Sequence, residues 1–495
     1  MGGAAVTRPT VDYRDVQGLV RFGYKHLKAA RYAMVGVKNL AAARAWLRQA
    51  PVTNAEYVQP PPSSALHVAL TAAGLAALGV PAAVRAAFSP EFLGGMADVN
   101  RARRLGDVGA NAPSRWRWGG EAGVPHLLVM FFTRGGDTLE GFVARSTGAA
   151  FAEAFDVRQM LDTSDLDGVE PFGFADGLSQ PAIDWDQETD PDTRRLEYSD
   201  LAALGEFLLG YSNEYGKFTD RPVVSADAAS AELPDAADDP GKKDVGRNGT
   251  YLVFRQLDQD VRGFWRFLHD ATGGEPAAMD RLSAAFVGRT RTGEPLVTAA
   301  PGAGDGLNRF TFDDDPRGVV CPVGAHIRRS NPRNTDYPGR PTGLAKLLAA
   351  LGASTKGFRD DLVSPVRFHR VLRRGREYGP GLSPADALQP APRDDTERGL
   401  HFVCLNANIG RQFEFVQNAW LMNTAFADLR GETDPLVGLR EPVPGCPASG
   451  DFTIPRAGGP AQRVSGLSQF VTLRGGEYFF LPGLSALRYL AGSSS

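Results

Sequence analysis

The sequence predicts an α+β fold in which a strand-then-helix unit occurs in both halves of the chain. Three observations predict it. Short β-rich runs lead directly into segments with helical apolar spacing, the unit recurs after an Ala/Asp/Pro-rich break, and 57 Gly with 35 Pro call for long ordered loops between elements. At 495 residues the chain exceeds one comfortable core and is large enough to enclose a cofactor.

Residues 31–37 (RYAMVGV) read as a strand and 40–49 (LAAARAWLRQ) as the helix that follows. The pattern repeats at 67–70 (HVAL) with 73–78 closed by Gly79, and again at 126–133 (HLLVMFFT) with a helical run from Thr138. From 226 to 243 the composition turns to Ala, Asp, Pro and Lys, which reads as a surface insertion or linker. The expected organisation is therefore an N-terminal module at 1–225, a linker or insertion at 226–247 and a C-terminal module at 248–495. In the second module 249–255 (GTYLVFR) leads into a helix over 260–269, and 399–405 (GLHFVCL) into a helix over 411–420.

Composition excludes several classes. Hydrophobic residues at 43% and charged residues at 22% fit a folded globular protein, not a disordered one. The net charge of −3, with no basic cluster, argues against nucleic acid as a partner. No apolar run approaches the roughly 20 residues of a membrane span, and 1–10 lacks the pattern of a secretory signal, so the expected location is cytoplasmic. Cys321, Cys404 and Cys446 are far apart, in no CxxC pair, and support neither a disulfide framework nor a zinc site. Any redox chemistry must come from a cofactor. GAGDG at 302–306 follows no clear strand and reads as a turn, not a nucleotide loop; HExxH and GxSxG patterns are absent.

Three segments combine polar side chains with glycines that permit close backbone approach. The first is GFADG at 173–177, in which Asp176 has the neighbours of an ordinary turn. The second, 321–333 (CPVGAHIRRSNPR), sets one imidazole before three guanidiniums; a lone histidine is commonly structural. The third is 370–379 (RVLRRGREYG), which alone resembles an exposed basic turn.

Taken in order, GFADG, HIRRSNPR, RVLRRGREYG and GLHFVC at 399–404 resemble the dye-decolorizing peroxidase family of haem proteins. DVQGL at 15–19 and LRGGEYFFLP at 473–482 extend the resemblance over nearly the whole chain, which is similar to the larger bacterial branch. The resemblance implies two ferredoxin-like modules with antiparallel sheets and peripheral helices, with haem b in the C-terminal one. It implies reduction of hydrogen peroxide with dyes, phenols or similar one-electron donors. A haem carrier or an iron-releasing protein with incidental peroxidase activity is the alternative.

By resemblance His326 is the axial iron ligand, a role suited to neutral imidazole, and Arg333 pairs with a haem propionate. Arg328 and Arg329 are expected to face solvent. Asp176 matches the distal acid/base, with an acidic pH optimum expected, and Arg373 the distal arginine that stabilises the departing oxygen; Arg374 is the adjacent alternative. Leu400 and Phe402 line the distal face. The proximal imidazole should donate its other N–H to a carboxylate, for which Glu414 is the first candidate and Asp434 the second. Trp116, Trp118 and Trp185, in loop-like contexts, are candidates for surface electron relays.

Overall fold

The computed structural model describes residues 9–188, 200–297, 307–333, 365–393, 395–441 and 449–492. Cys446 and the segments 302–306 and 334–364 lie outside the described residues. The main sheet has nine strands: β1 (Ala29–Val37), β2 (Ser64–Leu70), β3 (Leu127–Thr133), β4 (Phe155–Asp162), β5 (Thr250–Gln259), β6 (Leu372–Arg373), β7 (Arg376–Tyr378), β8 (Gly399–Asn406) and β9 (Val471–Leu481). Their order across the sheet is β6-β8-β5-β9-β2-β3-β1-β4, with β7 also on β8, and every neighbouring pair is antiparallel. All the strands expected from sequence are present, and strands from both halves share this sheet. The seam is a single Cα pair of β9 and β2, Phe480 with Leu70.

Strands such as β3, buried at every position, read as continuous apolar runs because both faces of the sheet are covered. Helix α1 (Leu40–Gln49) starts where the Asn39 side chain accepts the Ala42 N–H. Helix α2 (Val261–Thr272) is capped by Asp260 and closed by Gly273 at φ 66°, which a residue without Cβ adopts freely. The 226–247 stretch is not a free linker. Val223–Ser225 pairs with Lys242–Asp244, Arg221 Nε bonds Asp244 Oδ2 at 2.6 Å, and Leu233 and Val245 are buried in the core.

Two departures from expectation bear on function. The segment expected as an α-helix over 411–420 forms π-helical turns at Gly410–Glu414 and Val416–Leu421, with Glu414 N–H bonding Ile409 O at 2.9 Å and Met422 N–H bonding Gln417 O at 3.0 Å. The basic run 370–379 is not an exposed turn but the edge of the sheet: β6 and β7 both pair with β8, with Gly375 between them. A Cβ on Gly375 would lie 2.5 Å from the His401 carbonyl oxygen and 3.0 Å from the Val403 nitrogen. Only glycine allows the edge to close this tightly.

Candidate active site

A cavity of ≈ 330 Å³ is walled on one side by β5, β8 and β9 and elsewhere by the GFADG loop, the His326 helix and the π-helical turns. Asp176, His326, Arg333, Arg373, Leu400 and Phe402 all border it. Residues from 176 to 402 in the chain are thus brought to one enclosure.

His326 opens a short helix, His326–Ser330. Its Nδ1 lies 2.9 Å from Asp434 Oδ2, and its Nε2 has no hydrogen-bond partner among the described residues. Asp434 is fully buried, and its Oδ1 accepts the N–H groups of Leu436 and Val437, both at 2.9 Å. Burial alone would raise the Asp434 carboxyl; the His326 ring and these N–H bonds hold it below the ordinary range. The carboxylate behind His326 is therefore Asp434, and Glu414 as first candidate is corrected. Glu414 instead accepts Arg101 Nε at 2.5 Å and the Tyr478 hydroxyl at 2.9 Å, a buried ion pair that occupies its charge elsewhere.

Arg328 and Arg329, expected in solvent, are buried. Arg328 bonds Asp315 Oδ2 at 3.1 Å and the Cys321 carbonyl at 2.6 Å. Arg329 reaches the carbonyls of Trp420 at 2.7 Å and Glu432 at 2.6 Å, tying the His326 helix to the π-helical turn and to the loop that carries Asp434. Arginine suits this strut because its rigid fork donates in several directions at once.

Asp176 and Arg373 form an ion pair, with Arg373 Nη1 donating to Asp176 Oδ1 at 2.8 Å. Gly173 at φ 97° and Gly177 at φ 71° give the loop its turn on either side of Asp176. Gln180 was not singled out from sequence, where a glutamine after a turn carries no signal. Its Oε1 accepts the Arg373 N–H at 3.0 Å and its Nε2 donates to the Arg373 carbonyl at 3.2 Å, clasping the peptide of a two-residue edge strand. Arg374 points elsewhere, because successive strand residues alternate faces; its Nε and Nη2 donate to the carbonyls of Leu19 and Val20.

Leu400 and Phe402 border the cavity while His401 between them packs on Tyr378 and donates its Nε2–H to the Asp162 carbonyl, the same alternation on β8. Arg333 is buried at the wall, its Nη1 on the carbonyls of Asn308 and Phe310 and its guanidinium 3.8 Å over the Phe310 ring. Arg289, also unforeseen, borders the cavity, and burial pushes it down to about 10. Trp116 and Trp118 are buried and donate Nε1–H to Asn111 O and Gln256 Oε1, both at 2.8 Å, as packing residues do; Trp185 is partly buried beside Tyr13.

The donor set fits haem. Among the described residues no three His, Cys, Asp or Glu side chains gather to hold a bare metal ion. One imidazole backed by a carboxylate, an apolar wall and cationic groups for propionates suit an iron that brings its own equatorial ligands. No described helix is long and apolar enough to cross a membrane.

No family model matches the chain. It is 32% identical over 346 residues to the multifunctional dye peroxidase DyP2 of Amycolatopsis sp., an alignment covering 67% of this chain and 62% of that enzyme. It is 30% identical over 460 residues to Peroxidase 2 of Mycetinis scorodonius, covering 86% of this chain and 76% of the relative. A solved dye-decolorizing peroxidase in complex with 2,6-dimethoxyphenol matches the fold with a TM-score of 0.69 at 23% identity, over 97% of this chain and 100% of that one.

Proposed function

The chain belongs to the dye-decolorizing peroxidases, a haem enzyme family, and on that premise we propose that it reduces hydrogen peroxide with electrons drawn from dyes, phenols or similar aromatic donors. The observation that carries the reading is one cavity bordered by a carboxylate-backed imidazole and by a carboxylate–guanidinium pair. A carrier needs the first and has no use for the second. The structural relative bound to 2,6-dimethoxyphenol supports phenols as one donor class.

His326 would hold haem b through Nε2, with Arg333 and Arg289 placed to meet its propionates. When bound, haem supplies the two-electron chemistry that divides the peroxide O–O bond and the one-electron steps that return it to rest. The remaining work falls to side chains. Asp434 fixes the His326 tautomer and makes the imidazole more electron-rich. The Asp176 carboxylate takes a proton from one peroxide oxygen and delivers it to the other, which then departs as water. The Arg373 guanidinium orients Asp176 and offsets negative charge developing on the departing oxygen. Leu400 and Phe402 keep bulk water from the same space.

The test is rapid mixing of the haem-loaded enzyme with hydrogen peroxide. Replacing Asp176 by Asn should slow the bimolecular reaction by about 10²–10⁴-fold, with the Soret band retained. Full reactivity in both Asp176→Asn and Arg373→Leu would sink the reading.

A further inference from the structure

Among the carboxylates that line the cavity besides Asp176 is one, in the same loop, for which the proposed reaction has no step. Glu170 borders the cavity six residues before Asp176 in the same loop. Its Oε1 accepts the Phe174 N–H at 3.0 Å, and its Oε2 accepts both the Phe172 N–H at 3.0 Å and Gln259 Nε2 at 2.9 Å. Its backbone joins the same turn: Glu170 N–H donates to Phe174 O at 2.9 Å and Gly173 N–H donates to Glu170 O at 2.8 Å. One rung on, Val169 bridges Ala175, and Asp176 N–H donates to Gly168 O at 2.9 Å. The carboxylate thus fastens the inner turn of the hairpin whose outer end presents Asp176.

Gln259 ends β5 and is buried; its amide oxygen has no partner among the described residues, so its side-chain hydrogen bonding there is spent on Glu170. That bond ties the inner turn of the loop to β5 of the sheet that also carries Leu400 and Phe402, while the outer end meets the same sheet through Asp176 and Arg373 of β6. The rings of Phe172 and Phe174 are buried in an apolar cluster, with Phe172 4.6 Å from Phe264 of α2, so the loop has firm neighbours on its other side. Glu170 itself touches neither Arg373 nor His326 in any hydrogen bond among the described residues.

We infer that Glu170 is a positioning residue for the peroxide reaction: by gathering three N–H donors it fixes the loop geometry that holds Asp176 against Arg373. This rests on the reading of Asp176 as the proton carrier. An isosteric amide cannot substitute. Whichever way a glutamine lies at 170, its NH₂ group faces at least one of the three donors, and the turn must open to relieve the clash. A catalytic carboxylate misplaced by even 1 Å loses rate steeply.

The experiment is a double-mutant cycle on the haem-loaded enzyme, reading the bimolecular rate with hydrogen peroxide alongside haem content and the Soret band. Glu170→Gln should lower the rate about tenfold with haem content unchanged, and should cause no further loss in an Asp176→Asn background. Gln259→Leu, which removes only the tether of Glu170 to β5, should act in the same direction, more weakly and with the same silence in the Asp176→Asn background; it serves if Glu170→Gln does not fold. An undiminished rate in both variants, or an equal loss with and without Asp176, overturns the inference. Full reactivity in Asp176→Asn alone would instead remove its premise.

Discussion

Burial alone would push the Asp176 carboxyl up, yet the Arg373 charge, the Gly177 N–H and the Arg373 hydrogen bond together hold it below the ordinary range. A depressed acid stays ionised, and able to accept a proton, until the pH falls through its lowered value. The rate with hydrogen peroxide should therefore keep its acid fall centred below the ordinary carboxyl value of about 4. In Arg373→Leu, where burial is left less opposed, that fall should move to higher pH; an unmoved profile would show that Arg373 does not set the acidity of Asp176. At the other pole, Asp434→Asn keeps a hydrogen-bond acceptor for His326 Nδ1 and removes its charge. We expect a rise in the iron reduction potential, read by spectroelectrochemistry, and about a 10–100-fold loss of activity or haem affinity. Local pattern alone reads Asp176 as a turn and His326 as a structural residue; it is the ordered set of motifs carrying the family resemblance that makes them, with Arg373, legible as site candidates. Sequence ranks Glu414 before Asp434, the wrong order, because the choice depends on Arg101, 313 residues from Glu414, and on a contact spanning 108 residues.

At the scale of elements, Arg373 stands on the shortest strand of the sheet. The strand β6 has two residues, pairs among the described residues only with β8 and is held additionally by the Gln180 clasp and by the tight passage of Gly375 under His401. Gly375→Ala places a methyl 2.5 Å from the His401 carbonyl and must lift this edge. The rate with hydrogen peroxide should fall well before haem content does, because His326 and Asp434 lie on other elements; equal losses of both would argue against a local effect. The glycine was visible in the sequence, but not its reason, since what fills the space is a strand that follows in the chain. The same holds for Arg328 and Arg329. A run of arginines after a histidine reads as solvent-facing until the carbonyls of Trp420 and Glu432 are found around Arg329; the first comes from a π-helical turn that apolar periodicity reads as α-helix, the second from the loop that carries Asp434.

For the whole molecule, period-two and apolar-run patterns located the strands because burial on the two faces is a local property of sequence. How they assemble is not local. The seam of β9 and β2 rests on a single Cα pair, and a residue from the N-terminal segment completes it. Gln17 is fully buried; its Oε1 accepts the Val68 N–H at 3.1 Å, and its Nε2 donates to Val68 O at 2.8 Å and to Pro482 O at 3.0 Å. Nearby, Asp15 accepts Asn248 Nδ2 at 2.7 Å and the Ser485 hydroxyl at 3.0 Å. The DVQGL and LRGGEYFFLP segments, far apart in sequence, thus meet where strands of the two halves join. Gln17→Ala leaves a buried N–H and two buried carbonyls without this partner, and each unsatisfied group costs about 1–3 kcal/mol. Because the seam ties both halves of one sheet, the loss should lower the midpoint of the whole unfolding transition, read by calorimetry, while the peroxide rate per bound haem stays at the wild-type value. A midpoint unchanged from wild type would mean that the sheet holds together without this glutamine.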